Sequence, residues 1–221
     1  MAEKIYERNI GAKMQAESII LDVDGTLWDS TELVAKSWNR AIRDIGIGHI
    51  DVTADQLKTL FGRTMKEIAD VVLEDCSEEE KEKVMDLCCQ YEHEDLENDE
   101  CNMLYPNVKE TIIELSKTHR VFIVSNCQSG YIEMFLRKTN LGAYVTDIEC
   151  FGNTGKGKGE NIRLIMERNH SESACYVGDI RGDYEASCQA GVPFVFAEYG
   201  FGNVPESKWK IKDFSELLTI E

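Results

Sequence analysis

The stretch Ile19-Ile20-Leu21-Asp22-Val23-Asp24-Gly25-Thr26-Leu27-Trp28-Asp29-Ser30 decides the fold. It opens as an apolar run with the pattern of a buried strand, and it breaks into a glycine turn where two carboxylates appear. Residues two apart on a strand share a face, so Asp22 and Asp24 leave the sheet on the same side. Carboxylates that follow buried apolar residues are costly unless a cation or a reaction uses them. Two like charges a few ångströms apart call for a metal, a shared proton or both. Read alone, Asp24-Gly25-Thr26 fits a capped turn between strand and helix equally well.

Three later segments carry chemistry of the same kind. Arg120-Val121-Phe122-Ile123-Val124-Ser125-Asn126 is an apolar β-branched run ending in a hydroxyl and an amide. That is the pattern of a buried parallel strand, whose carboxyl end is where α/β folds place ligands. Lys158 opens a helical pattern in which Ile162, Ile165 and Met166 recur at helical spacing. Ala174-Cys175-Tyr176-Val177-Gly178-Asp179-Ile180-Arg181-Gly182-Asp183 is a further strand entering a glycine turn, with acids four apart. Taken separately, Asp179 reads as a helix cap and Asp183 as a first-turn acid favoured by the helix dipole.

Taken in order, these four pieces resemble the motifs of the haloacid dehalogenase superfamily of phosphotransferases, D-x-D-G-T-L and G-D-x-x-x-D most specifically. The resemblance runs from about residue 18 to residue 202 and points to the phosphoglycolate phosphatase and β-phosphoglucomutase branch. It implies a magnesium-dependent phosphatase that hydrolyses a small phosphorylated metabolite, phosphoglycolate-like or a sugar phosphate, through an aspartyl phosphate. Asp22 is then the nucleophile and Asp24 the general acid and base. Ser125, Asn126, Gly25 and Lys158 would hold the phosphoryl group, with Lys156 a competitor for the lysine role because the motif's usual prolines are missing. Mg2+ would be held by Asp22, the Asp24 carbonyl and Asp179, with Asp183 acting through water. The second aspartate, Asp24, disfavours the carbon–halogen hydrolases. A β-phosphoglucomutase-type phosphotransferase and a catalytically silent phosphate-binding regulatory protein remain as alternatives. Gly152-Asn153-Thr154-Gly155-Lys156-Gly157-Lys158 also satisfies a nucleotide-binding P-loop pattern, but Gly159 stands where that motif needs Ser or Thr.

About one hundred residues separate Asp22 from Ser125, far more than a βα loop needs, so something is inserted there. Leu33, Val34, Trp38, Ile42 and Ile45 form one helix face that Gly46 stops. A second helix is expected from Thr64 to Leu73, and a third from the capping box Ser77-x-x-Glu80, with Val84, Leu87, Cys88 and Tyr91 as its stripe. The expected division is an N-terminal extension 1–17, an α/β core of 18–28 and 104–221, and an all-helical cap of 29–103. The core alternates strand and helix, which predicts a Rossmann-like parallel sheet covered on both faces. Arg63 and Lys66 are the candidate substrate contacts in the cap, weighed against charges that simply face water. Thirteen acids against two lysines between Glu74 and Glu100 read as a solvated helix face. None of the four histidines is assigned a ligand role.

The net charge of −17 repels nucleic acid and anionic membranes, so neither is an expected partner. A small phosphorylated metabolite must therefore meet a locally basic or metal-loaded site. No stretch has transmembrane length or the core of a signal peptide, and the expected location is cytoplasmic. Eight cysteines without a C-x-x-C read as reduced thiols, Cys127 alone standing close to a motif.

Overall fold

The computed structural model describes residues 16–47 and 49–220. All but the last two residues of the expected N-terminal extension lie outside that range. Six strands form one sheet: β1 Ser18–Leu21, β2 Arg120–Ser125, β3 Asp147–Cys150, β4 Ala174–Gly178, β5 Phe194–Ala197 and β6 Trp209–Ile211. Their spatial order is β3-β2-β1-β4-β5-β6, and every pairing is parallel. The strands are buried because both faces are covered. Ile19 and Leu21 enter one apolar cluster with Val121, Ile123 and Val177, whereas Ile20 enters another with Phe122, Val124 and Tyr176. Alternate residues therefore pack to opposite sides, as strand pleating requires.

The helices are α1 Thr31–Ile45, α2 Ala54–Lys58, α3 Met65–Val72, α4 Glu78–Asn98, α5 Val108–Leu115, α6 Tyr131–Thr139, α7 Phe151–Thr154, α8 Lys158–Arg168 and α9 Arg181–Ala190. Five of them, α1 to α5, lie between β1 and β2, the first four within residues 29–103, and among the described residues that stretch holds no strand. Gly46 ends α1 at φ +91°, a conformation a side chain would disfavour. Thr64 and Ser77 cap α3 and α4, each in a reciprocal box with the glutamate three residues on. Trp38 of α1 and Val84, Cys88 and Leu96 of α4 are fully buried, which packs these two long helices together.

Two element starts are set locally. α5 starts at Val108, because Asn107 takes a left-handed conformation ahead of it and Pro106 stays in the turn. β5 starts at Phe194, because the Val192 N–H closes the end of α9 on the Ser187 carbonyl. The five-residue α2 and three-residue β6 are too short to show a period, and the sequence reading passed over both.

Registry does the positioning. Leu21 pairs with Ile123 on one side and with Val177 on the other, so β1, β2 and β4 end within two residues of one another. Asp22, Ser125 and Asp179 consequently leave three neighbouring strands at one edge. That edge lies where the chain order reverses beside β1, the crevice in which open α/β sheets bind ligands.

Candidate active site

The turn after β1 is fixed by its own backbone: Leu27 N–H donates to the Val23 carbonyl at 2.7 Å and Gly25 N–H to the Trp28 carbonyl at 2.9 Å. Gly25 sits at φ +85°, and a Cβ there would stand 2.2 Å from an Asp179 carboxylate oxygen. Glycine is required both for the turn and for the close approach of the β4 acids.

Lys158, the first residue of α8, is the hub of the buried charges. Its ammonium donates to Asp22 Oδ1 at 2.8 Å and to Asp183 Oδ1 at 2.5 Å, and all three side chains are buried. The other Asp183 oxygen accepts the Asp179 and Ile180 N–H groups, each at 3.1 Å. Asp183 therefore ties the lysine to the start of α9. Burial drives the Asp22 carboxyl up to about 7, against the opposing pull of Lys158. Burial alone would lower Lys158, but Asp183 and Asp22 together hold its ammonium above the ordinary lysine range. Burial, with Asp183 and Asp22 beside it, also lifts Asp179. Lys156 lies exposed on the loop before α8, so of the two candidate lysines only Lys158 reaches Asp22.

Asp24 occupies the other half of the turn. Its Oδ1 accepts from Ser30 Oγ at 2.7 Å, from Trp28 Nε1 at 2.8 Å and from the Tyr131 hydroxyl at 2.8 Å. Burial raises this carboxyl and the three donors oppose the rise. Two carboxyls in one turn thus sit in different settings, one against a cation and one among neutral donors.

Carboxylate oxygens of Asp22, Asp179 and Asp183 all lie within 4.8 Å of one another. Three buried acids against one buried lysine leave excess negative charge, and an all-oxygen donor set of this kind suits a hard divalent cation. The residues therefore fit magnesium.

A cleft opens over Asp22, Asp24, Ser125 and Asn126, roofed by the helical insertion. The roof contributes Val34, Trp38, Met65 and Ile68, with Arg63 exposed at its rim. Asn126 reaches across it, donating from its amide to the Gly62 carbonyl at 2.8 Å while its own carbonyl oxygen is buried without a partner. Lys66 is not brought to the cleft. It lies on the outer face of α3, where Asp70 at 3.2 Å and Glu78 at 3.4 Å hold its ammonium. The P-loop alternative also fails: Phe151–Thr154 forms a helical turn, and a Cβ at Gly152 would stand 2.1 Å from the Ser129 nitrogen. That glycine packs against backbone and does not frame an open cradle.

Glu92 was missed by the sequence reading. It is buried in the roof of the cleft, accepting from Trp38 Nε1 at 2.9 Å and from Gln128 Nε2, in the loop after β2, at 2.7 Å. Burial drives it up to about 7. The acids around it were read as a solvated face, and Glu92 is the exception. A signal existed: Val84, Cys88, Glu92 and Leu96 recur every four residues and are all buried, so this acid falls in phase with the apolar stripe.

A parallel α/β sheet with a lysine-bridged acid cluster at its carboxyl edge defines a phosphoryl-transfer type of site. The family model for haloacid dehalogenase-like hydrolases matches residues 19–197, and the chain belongs to that family. It is 26% identical to a phosphoglycolate phosphatase of Vibrio parahaemolyticus, across 91% of this chain and 94% of that one. The crystal structure of a predicted phosphoglycolate phosphatase from Haemophilus somnus 129PT matches with a TM-score of 0.80 at 23% identity, covering 93% of this chain and 97% of that one. A β-phosphoglucomutase structure from Clostridium difficile matches with a TM-score of 0.74 at 18% identity, covering 92% and 93%. Among the described residues no helix is long and apolar enough to cross a membrane.

Proposed function

We propose that this haloacid dehalogenase-like phosphatase hydrolyses a small phosphorylated metabolite with magnesium, through a phosphoryl group carried on Asp22. The observation that carries this reading is the buried bridge from Lys158 to Asp22 and Asp183, beside Asp179. Lys158 holds the attacking carboxylate at a fixed position and supplies positive charge to the phosphoryl oxygens. Asp22 Oδ attacks phosphorus and the leaving oxygen departs, splitting hydrolysis into two displacements. Asp24 gives that oxygen a proton and then takes one from the incoming water, and its three donors keep the carboxyl aimed through both halves. The Ser125 hydroxyl, at the end of β2, orients the phosphoryl group. A magnesium ion held by Asp22, Asp179 and the Asp24 carbonyl, with Asp183 behind it, would neutralise the charge of the transferring group.

Residues 29–103 act as the cap. Its contacts with the sheet edge support that division: Asn126 to Gly62, Gln128 to Glu92, and the edge-on Phe61 and Phe201 rings with centroids 6.1 Å apart. Closure of this kind excludes water and puts the leaving group among cap residues. The relatives named phosphoglycolate phosphatase favour hydrolysis over return of the phosphoryl group to a sugar.

The test is phosphate release from a panel of phosphorylated metabolites, with magnesium and after chelation. Turnover that needs the metal and stops in Asp22→Asn supports the reading. Full activity in chelator, or in Asp22→Asn, overturns it.

A further inference from the structure

The leaving-group half of the cleft carries one charged group that is buried, and it is acidic. Glu92 is 3% exposed. The cap side of the cleft adds the apolar Val34, Trp38, Met65 and Ile68, and the core side adds Asn126, Gln128 and Tyr131 beside Asp22 and Asp24, so Glu92 is the one carboxylate that the cap brings to the leaving group. The cation of this half, Arg63, is exposed at the rim.

Glu92 is anchored in a way that leaves it able to recognise something. Each carboxylate oxygen accepts one hydrogen bond, from Trp38 and from Gln128. An ionised carboxylate has about four acceptor positions, so roughly two remain for a donor entering the cleft. One anchor comes from the cap and the other from the loop after β2, so closure itself fixes the carboxylate's aim. A second anion beside it would add a like charge in a desolvated pocket, where repulsion is far stronger than in water. A hydroxyl or ammonium would satisfy acceptors that are otherwise left open.

We infer that Glu92 sets the substrate class of the cleft, selecting phosphomonoesters whose leaving group donates hydrogen bonds and rejecting those whose leaving group carries a carboxylate. The inference rests on the phosphatase reading and narrows it: a 2-phosphoglycolate-like ester is disfavoured and a polyol or amino-alcohol phosphate is favoured.

Three esters of nearly equal size separate the possibilities: 2-hydroxyethyl phosphate, O-phosphoethanolamine and 2-phosphoglycolate. Their binding to the full-length Asp22→Asn protein with magnesium is measured by calorimetry, and their kcat/KM on the native protein by phosphate release. At pH 8.5, above the value of about 7 to which burial lifts Glu92, the hydroxyl and ammonium esters are expected to exceed 2-phosphoglycolate by about tenfold or more in both, the effect of one close like charge across a dry pocket. Glu92→Gln keeps the shape and removes the charge, and it should shrink that ratio by about tenfold. Equal or stronger binding of 2-phosphoglycolate by the protein with Glu92 intact overturns the inference, without needing the variant to fold. An unchanged ratio in a folded Glu92→Gln protein overturns it as well. Because binding is read on a protein that cannot turn over, absence of turnover on every ester would count against the hydrolysis reading and leave the binding order to decide this one.

Discussion

Removing the ammonium of Lys158 tests the site's electrostatics and the choice of lysine at once. The side chain is buried and is shared by Asp22 at 2.8 Å and Asp183 at 2.5 Å. Lys158→Ala leaves two buried carboxylates facing each other, with Asp179 within 4.8 Å. Breaking a buried ion pair by deleting one partner costs about 3–5 kcal/mol. The lower end is expected here, because Asp22 already sits at about 7 and can take up a proton instead of bearing an unpaired charge. In a chain of this length each kcal/mol lowers Tm by about 2–4 °C, so the loss is roughly 6–12 °C. Lys156 is exposed, and Lys156→Ala should stay within about 0.5 kcal/mol of the native protein. Both are read by thermal unfolding at neutral pH in chelator. Magnesium should raise Tm more in Lys158→Ala than in the native protein, since Asp22 and Asp183 have lost the ammonium that pairs with both. A Tm within 2 °C of native for Lys158→Ala, or equal shifts for the two variants, would refute the reasoning.

Three other outcomes follow from named contacts. Asp22→Asn should lose phosphate release while keeping the fold, because the amide preserves shape but cannot attack phosphorus; substantial residual turnover in the purified, folded variant would falsify the nucleophile assignment. Glu92→Gln should change how stability depends on pH. Glu92 is held near 7 in the folded protein against an ordinary value of 4.5, so the unfolded chain ionises first and native stability falls as pH rises from about 4.5 to about 7. The amide has no such loss, so the variant should gain on the native protein by up to about 3 kcal/mol across that window and no further above it; denaturant titrations with parallel pH profiles would rule this out. Arg63→Ala should lower kcat/KM several-fold for the preferred phosphoester and less for p-nitrophenyl phosphate, and equal effects on both would return Arg63 to the solvent.

The parts of the molecule that were legible in the sequence are those encoded contiguously. Ile19 to Asp24 carries its strand, turn and acids within one short run, and Arg120 to Ser125 and Ala174 to Asp183 do the same. Each could be read without knowing its neighbours, and strand order then brought them to one edge. Gly46, Thr64 and Ser77 marked helix ends because capping is local chemistry. Lys66 misled for the opposite reason. Nothing within a few residues of it says which side of α3 will face the sheet, and its partner Glu78 belongs to another helix. Tyr131 was similarly hidden: its hydroxyl meets Asp24 across more than one hundred residues of chain.

Glu92 shows what distinguishes a hidden site residue from a surface one. Among thirteen acids in this stretch, composition gives no reason to single it out. Phase does, because it holds a buried place in the series Val84, Cys88, Glu92 and Leu96. An apolar residue there would pack without any desolvation cost, whereas the carboxyl is displaced to about 7 and needs both Trp38 and Gln128 to be tolerated. Packing between α1 and α4 accounts for the Trp38 contact but not for Gln128, which lies on the sheet side of the cleft. A carboxyl anchored from both sides of the opening is placed for whatever enters between them. That is why the leaving group, and not the stability of the helix pair, is the function to assign to it.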